Sequence, residues 1–203
     1  MSRGTLFVIT APSGAGKTTL INRLLRSLDN LEFSVSYATR AKRKGEIDGK
    51  DYHFVSKEAF RKMQRAGGFL EWARVFDDYY GTPKKKTEEL LKKGKDIILD
   101  IDVQGASQIR RKMKGAVFIF ILPPDCRTLR ERLERRKSDS KTAIRKRVET
   151  AKKDVREFDA FDYIVVNDRI GRAFEELKGI FLAERARICR SYTTARRIVN
   201  TFR

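Results

Sequence analysis

The sequence predicts an α/β fold in which helices cover both faces of a parallel sheet. Short apolar runs rich in β-branched and aromatic residues alternate with amphipathic helical patterns along the chain. This alternation is typical of parallel strands joined by crossover helices. A glycine-rich segment, residues 11–18, separates the first apolar run from the first helical pattern. The order of strand, glycine-rich loop and helix predicts an anion-binding loop.

The strands are predicted from short apolar runs that are bounded by polar or turn-forming residues. Residues 5–10, 96–100, 117–122 and 163–166 fit this description. Apolar residues at spacings of three and four predict two amphipathic helices whose apolar stripes lie in the core. The stripes are Ile144, Val148, Ala151, Val155 and Phe158 in the first helix, and Ile170, Ala173, Phe174, Leu177 and Phe181 in the second.

Capping residues predict where two further helices begin and end. Thr82 supplies a capping hydroxyl before Pro83 at the first helical position, and Gly94 ends that helix. Asp125 follows two prolines and is expected to cap the helix that carries Leu129.

The chain is expected to consist of a core with one insertion. Residues 33–81 contain short alternating runs, many aromatic residues and little helical pattern, which predicts a small β-rich insertion. We assign residues 1–32 and 94–203 to the core and 33–93 to the insertion. A polar stretch flanked by helices makes 133–150 a lid segment, and 188–203 form a basic tail.

Composition limits the partners and the compartment. The 203 residues include 46 Lys and Arg against 27 Asp and Glu, a formal charge of +19 that favours polyanionic partners such as nucleotides or nucleic acids. Cys126 and Cys189 lack metal-ligand or redox-motif spacing, which suits a reducing compartment. No apolar run has the length of a membrane span or a signal peptide. We therefore expect a cytoplasmic protein without a membrane partner.

Residues 11–18, Ala-Pro-Ser-Gly-Ala-Gly-Lys-Thr, carry the strongest chemical signal. Glycines let consecutive backbone N–H groups turn toward an anion, and the following helix adds the positive end of its dipole. Lys17 brings a charge to the terminal phosphates, and the Thr18 hydroxyl is a ligand for Mg²⁺. The alternative is an ordinary glycine-rich turn.

Acidic residues follow the strand at 96–100. Asp100 ends this strand and is the type of residue that holds Mg²⁺ and its waters beside a phosphate loop. Asp102 follows two residues later, so an extended chain presents both carboxylates on one face. The alternative is that they only cap the next helix.

The insertion predicts a second anion site. Arg40, Lys42, Arg43 and Lys44 cluster in a polar loop, and the strand-like surroundings contribute Tyr52 and Tyr80. Guanidinium and phenol groups together suit a phosphate monoester.

One carboxylate lies in an unfavourable place. Glu71 lies inside the apolar stretch 69–73, where it needs hydrogen-bond donors. The edge of a guanine base offers two adjacent donors, and a salt bridge to Lys or Arg is the competing explanation.

Arginines surround the proposed lid. Phosphoryl transfer needs positive charge on the migrating group, and arginines on a closing lid supply it. A solvated helix face is the alternative. The residues are Arg132, Arg135, Arg136 and Arg147.

Together these motifs resemble the guanylate kinase family, in order from about residue 5 to residue 187. The stretches that carry the resemblance, besides the phosphate loop, are 34–36, 39–40, 43, 45–46, 48–49, 51–52, 69–73, 79–82, 100–105 and 166–168. The resemblance implies a P-loop kinase core with a GMP-binding insertion and a helical lid. It also implies the reaction of ATP with GMP to give ADP and GDP, with Mg²⁺.

The resemblance assigns site residues by position. For the GMP phosphate they are Arg40, Arg43, Tyr52 and Tyr80, with Glu46 orienting the arginines. For guanine they are Ser36, Glu71, Thr82 and Asp102. For ATP they are Ser13, Gly14, Ala15, Gly16, Lys17, Thr18, Thr19 and Asn167, with Asn167 near the base. The metal ligands are Thr18 and Asp100, and the catalytic residues are Lys17, Arg132, Arg136 and Arg147.

Four positions depart from the usual family pattern, and none removes a group that the reaction needs. Ala11 replaces a Gly, Ala38 and Ala41 stand where Thr and Pro are common, and Lys137 stands where the lid has Gly. Three alternatives stay open: an interaction domain that keeps the fold and binds phosphopeptides, an RNA-binding protein, and a kinase of sugar phosphates. Nucleic acid is not expected as a substrate, although the basic tail leaves room for weak contact.

Overall fold

The computed structural model describes residues 3–75, 77–135 and 140–202. The strands are Leu6–Thr10 (β1), Leu31–Phe33 (β2), Tyr37–Ala38 (β3), His53–Phe54 (β4), Phe69–Val75 (β5), Asp78–Pro83 (β6), Asp96–Asp100 (β7), Val117–Leu122 (β8) and Tyr163–Val166 (β9). The α-helices are Lys17–Ser27 (α1), Lys57–Arg65 (α2), Lys84–Lys92 (α3), Val103–Lys112 (α4), Cys126–Arg135 (α5), Lys141–Asp154 (α6), Ile170–Ala186 (α7) and Ile188–Val199 (α8). Short 3₁₀ helices are Val155–Ala160 and Asn200–Phe202.

Two sheets confirm the predicted α/β class. The larger sheet has the strand order β2-β7-β1-β8-β9, and the pairs β2–β7 and β8–β9 are parallel. All four predicted core strands belong to it. The smaller sheet has the order β4-β3-β6-β5 and is mixed, since β3 pairs in parallel with β4 and antiparallel with β6.

The described chain forms two compact units. The first contains residues 3, 9–30, 118–135 and 140–202, and the second contains 4–8, 31–75 and 77–117. This division is based on contacts within the structure and differs from the domain boundaries predicted from the sequence. Those boundaries, with an insertion at 33–93 and a lid at 133–150, stay a prediction.

The core of the first unit confirms most of the two predicted amphipathic stripes, but the predicted core position of Phe158 is wrong, because that side chain is 46% exposed. Helix α7 buries Ala173, Leu177 and Phe181. Helix α6 buries Val148 and Ala151 against α5, and the helical pattern passes into the 3₁₀ helix after Asp154. Burial of apolar side chains at about 25 cal/mol per Å² is the main stabilising contribution of such stripes.

The second unit packs its core around the aromatic residues of the smaller sheet. Phe60 of α2 stacks on Phe69 of β5 with ring centroids 4.5 Å apart. At the edge of β7, the buried Asp96 carboxylate accepts a hydrogen bond of 2.7 Å from the Thr5 amide. This bond satisfies a buried charge that would otherwise destabilise the fold.

Two elements of the second unit were not predicted. Strand β2 has three residues, too few to show an alternating pattern, and its pairing with β7 fixes it. Helix α2 buries only Phe60, so its apolar stripe is too thin to recognise, although the Ser56 hydroxyl caps it by accepting from the Ala59 amide.

Helix ends follow the sequence with one correction. Asp125 caps α5 by accepting from the Thr128 amide at 2.6 Å, and Gly94 follows α3 with a φ of 80°. The predicted capping hydroxyl of Thr82 is wrong. Pro83 is the N-cap of α3, and no side chain caps that helix because the Thr82 hydroxyl is engaged elsewhere.

The basic tail forms α8, none of whose residues is buried. Among the described helices, none is both long and apolar enough to cross a membrane.

Candidate active site

The phosphate loop connects β1 to α1 through two left-handed glycines. Gly14 and Gly16 have φ values of 94° and 93°, a region that side chains other than glycine rarely adopt. A Cβ on Gly14 would lie 3.1 Å from side-chain atoms of Leu129 and Leu133. The loop conformation and the packing beneath it therefore both require glycine.

The start of α1 is an anion site of backbone amides. Gly16 is the N-cap, no side chain caps the helix, and its first turn contains no acidic residue. The first amides of a helix have no intrahelical acceptor and carry the positive end of the dipole. Lys17 begins the helix, and Ser13, Thr18 and Thr19 are exposed beside it. These positions suit the phosphate role that the sequence predicts.

Asn167 lies behind this loop. Its side chain is buried, and its Nδ2 donates to the Ala15 carbonyl oxygen at 2.6 Å. The backbone amide of Asn167 donates to the Leu122 carbonyl oxygen at 2.8 Å, which continues the β8–β9 ladder. Contact with the ATP base, which the resemblance implies for Asn167, stays a prediction.

Two of the three predicted catalytic arginines, Arg132 and Arg147, lie in the described part of the first unit. Arg132 of α5 donates from Nη2 to the Asn167 carbonyl oxygen at 2.9 Å, and its Nη1 is buried without a partner in the described part of the chain. A buried guanidinium nitrogen with free hydrogens suits an anionic ligand. Arg147 is half-buried on α6, and Arg136 lies outside the described residues.

In the second unit, Arg40 and Glu46 form a bidentate pair. Arg40 Nη1 and Nη2 each lie 2.6 Å from one carboxylate oxygen of Glu46, which also accepts from the Arg43 amide at 2.8 Å. The hydrogen bond from Arg40 holds the pKa of Glu46 at about 2 and raises the pKa of Arg40. The predicted orienting role of Glu46 thus has a clear geometry for Arg40, whereas Arg43 contacts Glu46 through its backbone.

Two tyrosines complete this cluster around Arg40. The Arg40 guanidinium carbon lies 5.0 Å from the centroid of the Tyr52 ring, and the Tyr52 and Tyr80 rings meet edge to face at 5.9 Å. Burial raises the pKa of Tyr52 to about 12, and the negative charge of Asp100 contributes to the shift. The Tyr52 hydroxyl therefore stays protonated at neutral pH and is able to donate to an anion.

The remaining predicted ligands of the second unit lie on the loops near β3. The side chains of Lys42, Arg43 and Lys44 are exposed, so they are available to an approaching anion. Ser36 is half-buried, and its carbonyl oxygen accepts from the His53 amide at 2.9 Å.

A β-bulge places Glu71 in the interior. Strand β5 pairs with β6 at Phe69–Pro83 and at Trp72–Gly81, so Leu70 and Glu71 together oppose a single residue, Thr82. A bulge of this kind re-aims side chains next to sites. Phe69, Leu70 and Glu71 are buried in succession beside this bulge.

The Glu71 carboxylate faces a second acid and one hydroxyl. It is 3% exposed, and it accepts a hydrogen bond of 2.5 Å from the Thr82 hydroxyl. Burial, together with the nearby charge of Asp102, raises the pKa of Glu71 to about 7, although the hydrogen bond from Thr82 and the charge of Lys112 act to lower it. No salt bridge to Glu71 appears among the described residues, so the competing explanation finds no support there. The site favours a ligand that brings hydrogen-bond donors.

Asp102 is the N-cap of α4, which agrees with the helix-capping role considered as an alternative for this residue. Its Oδ1 accepts from the Gly105 amide at 2.8 Å. A cap uses one carboxylate oxygen, which leaves the guanine contact of Asp102 a prediction.

Three residues that support Glu71 were not identified from the sequence. Lys112 Nζ donates to the Leu70 carbonyl oxygen at 2.8 Å, so this backbone acceptor of the bulge has a hydrogen-bond partner. Gln108 bonds both backbone groups of Trp72. A Cβ on Gly105 would lie 2.6 Å from Glu71 Oε2. Only Gly105 gave a signal, because glycine inside a helix indicates a close approach.

The predicted metal ligands offer oxygen donors of the kind that Mg²⁺ prefers. Thr18 presents an exposed hydroxyl on α1, and Asp100 presents a half-buried carboxylate at the end of β7. Among the residues the structure describes, no group of three or more His, Cys, Asp or Glu is arranged to hold a metal.

Comparisons with known proteins agree with this geometry. A family model described as guanylate kinase matches residues 3–184. The guanylate kinase of Geobacter metallireducens is 49% identical over 191 residues, covering 94% of each chain. That of Rhodopseudomonas palustris is 51% identical over 183 residues, 90% of this chain and 83% of the other.

A solved structure shows the same fold. The crystal structure of guanylate kinase from Anaplasma phagocytophilum matches with a TM-score of 0.78 and 36% identity, covering 93% of this chain and 90% of that one. The three findings extend over nearly the whole chain, including both candidate anion sites. The chain therefore belongs to the guanylate kinase family and is a nucleoside monophosphate kinase.

Proposed function

We propose that this protein transfers the γ-phosphoryl group of ATP to GMP and forms ADP and GDP in a Mg²⁺-dependent reaction. The names of the relatives support both substrates. The observation that carries the choice of GMP is the buried Glu71 carboxylate, which is bonded to the Thr82 hydroxyl and lies close enough to the half-buried Asp102 to feel its charge. A base with two adjacent N–H donors matches these acceptors.

Guanine is distinguished from adenine by the direction of its hydrogen bonds. Guanine donates from N1–H and from its amino group, and Glu71 and Asp102 accept. Adenine presents an acceptor at N1, so it would leave a buried carboxylate unpaired. Hydrogen-bonding pockets of this kind discriminate on the order of 10⁴. Ser36 and Thr82 are assigned to O6, for which Thr82 must redirect the hydroxyl proton that it now gives to Glu71.

The GMP phosphate is assigned to the cluster around Arg40. Arg40 is held in place by Glu46 before any ligand arrives, so little side-chain entropy is lost on binding. Tyr52 and Tyr80 add hydroxyl groups, and Arg43 adds charge from the exposed loop. This arrangement orients the acceptor oxygen of GMP.

The ATP phosphates are assigned to the phosphate loop. The amides at the start of α1 bind phosphate oxygens, and the Lys17 ammonium stabilises the charge that develops on the transferring group. Thr18 and Asp100 would hold Mg²⁺, which neutralises phosphate charge when bound. Arg132, Arg136 and Arg147 are assigned to the transferring phosphoryl group, and Asn167 to the ATP base.

The test is a coupled assay of ADP release. Wild-type protein is given ATP and Mg²⁺ with GMP, AMP, CMP or UMP in separate reactions, and a parallel series contains EDTA. We expect ADP release with GMP but not with AMP, CMP or UMP, and we expect EDTA to abolish the ADP release with GMP. Equal turnover of AMP would contradict the guanine assignment, and inactivity on all four monophosphates would favour a different acceptor such as a sugar phosphate.

A further inference from the structure

The side chain of Asn167 is attached to the phosphate loop from behind. It is 4% exposed, and Nδ2 donates to the Ala15 carbonyl oxygen at 2.6 Å across 152 residues of sequence. The same atom lies so close to the loop that a Cβ on Gly16 would stand 2.3 Å from it. The contact is therefore close and specific to the peptide between Ala15 and Gly16.

The backbone of Asn167 is itself fixed at two points. Its amide donates to the Leu122 carbonyl oxygen at 2.8 Å, and its carbonyl oxygen accepts from Arg132 Nη2 at 2.9 Å. The side-chain carboxamide of Asn167 is thus attached to a fixed stretch of backbone and acts as a rigid donor through Nδ2. A rigid donor is able to hold the orientation of the group that accepts from it.

Planarity of the peptide bond transmits this contact to the anion site. In a trans peptide the C=O and N–H groups point in opposite directions. Asn167 holds the Ala15 carbonyl oxygen, so the Gly16 N–H is directed away from Asn167. Gly16 is the N-cap of α1, where the helix presents its free amides. The Asn167 bond thus sets the direction of one amide at the entrance to the anion site.

We propose that Asn167 is a positioning residue for the triphosphate site, acting through the Ala15–Gly16 peptide and independently of any contact with a base. The proposal rests on the proposed function, in which this loop binds the phosphates of ATP. It predicts that Asn167 contributes to the binding of a triphosphate that carries no base.

The experiment uses inorganic tripolyphosphate with Mg²⁺ as a probe and measures its affinity by calorimetry. Asn167→Asp is nearly isosteric but places an oxygen against the Ala15 carbonyl oxygen, so the donor is lost. Asn22→Asp is the matched control, because it adds the same charge at an exposed position of α1. Asn167→Ala removes the donor without adding charge. GMP affinity and melting temperature are measured for each variant.

We expect Asn167→Asp to weaken tripolyphosphate binding by about tenfold or more, and ATP binding by at least the same factor. Asn167→Ala should show a smaller loss in the same direction, and Asn22→Asp should leave tripolyphosphate affinity within about twofold. GMP affinity should stay at the wild-type value in all variants. If Asn167→Asp fails to fold, the tripolyphosphate affinity of Asn167→Ala, compared with that of the wild type, tests the proposal.

Three results would overturn the proposal. A loss of ATP affinity with unchanged tripolyphosphate affinity would assign Asn167 to the base alone. Equal losses of tripolyphosphate and GMP affinity with a lowered melting temperature would make it merely structural. If Asn22→Asp lowered the tripolyphosphate affinity as much as Asn167→Asp, the added negative charge alone would explain the effect. Failure of the proposed function is distinguishable, because it would appear in the wild-type protein itself, either as absent tripolyphosphate binding or as absent GMP turnover in the coupled assay.

Discussion

The phosphate loop and the cluster around Arg40 are two anion sites built in opposite ways. The first is made of backbone: left-handed glycines, the free amides of α1 and a peptide held by Asn167. The second is made of side chains that hold one another, with Arg40 bonded to Glu46 and covered by Tyr52.

This difference has consequences for mutation and for pH. A backbone site does not titrate, and it depends on glycine conformation and on neighbours such as Asn167. A side-chain site depends on each partner, and the nearby Glu71 has a pKa of about 7. Substitutions and changes of pH should therefore affect the two sites differently.

The largest effect is expected at Lys17. Lys17→Ala should lower kcat by on the order of 10² or more, because it removes charge stabilisation of the transferring group. GMP affinity should be nearly unchanged, since every residue assigned to GMP lies in the second unit. Lys114→Ala, an exposed lysine in a turn, is the control. Steady-state kinetics with near-normal kcat for Lys17→Ala would contradict the kinase mechanism.

The next effect concerns base choice. Glu71→Gln keeps the size of the side chain but loses its charge, so the GMP complex should weaken by roughly 2 to 4 kcal/mol. AMP should lose much less. The quantity to measure is the ratio of kcat/KM for GMP over AMP, with the exposed Glu149→Gln as control. An unchanged ratio would make Glu71 a structural residue.

The Arg40–Glu46 pair should show a smaller effect on the KM for GMP. Arg40→Lys supplies charge but not the two-pronged geometry that Glu46 holds, so the KM should rise about tenfold. Arg172→Lys makes the same change at an exposed ion pair and should leave the KM unaltered. Wild-type KM in Arg40→Lys would remove Arg40 from the GMP site.

A further effect is the pH dependence of GMP binding. Below about pH 7 the carboxyl group of Glu71 is protonated in the free protein, and its proton must leave before guanine can donate to it. GMP affinity should therefore fall as the pH is lowered from 8 to 6, by a few-fold. The phosphate of GMP titrates in the same range, so the same titration of Glu71→Gln isolates the contribution of Glu71. Parallel curves for the two proteins would contradict the assignment.

The smallest effect is on stability. The folded pKa of Glu71 lies above its unfolded value, so its contribution is most favourable below about pH 4.5 and is lost as the pH rises through about 7. Glu71→Gln avoids this loss and should raise the melting temperature at pH 8 by a few degrees. The gain should disappear near pH 5. The measurement is a denaturation scan at each pH value, and a gain of equal size at both would exclude titration as its cause.

The backbone site could be predicted from sequence because its parts are contiguous. The order of strand, glycine-rich loop and helix lies within residues 5–27, and its geometry follows from glycine and helix physics. The four core strands were predicted for the same reason, since each is a local apolar run. Strand β2 was not, because three residues depend on their partner β7.

Contacts between distant residues could not be predicted. The bond between Asn167 and Ala15 joins positions 152 residues apart, and no spacing rule indicates it. The bulge at Leu70 and Glu71 arises from pairing with β6, so the sequence indicated only that an acid lay in an apolar stretch. The Glu46 pairing was implied by the family resemblance and not by the charge pattern itself.

Gly105 makes thermostability and base choice compete at one position. Glycine inside a helix is destabilising by about 1 kcal/mol relative to alanine, so an engineer seeking a more stable protein would replace it early. The added methyl group would stand 2.6 Å from Glu71 Oε2 and would displace the carboxylate that we assign to guanine. A variant library selected for heat resistance alone is thus expected to drift toward enzymes that tell purines apart less well.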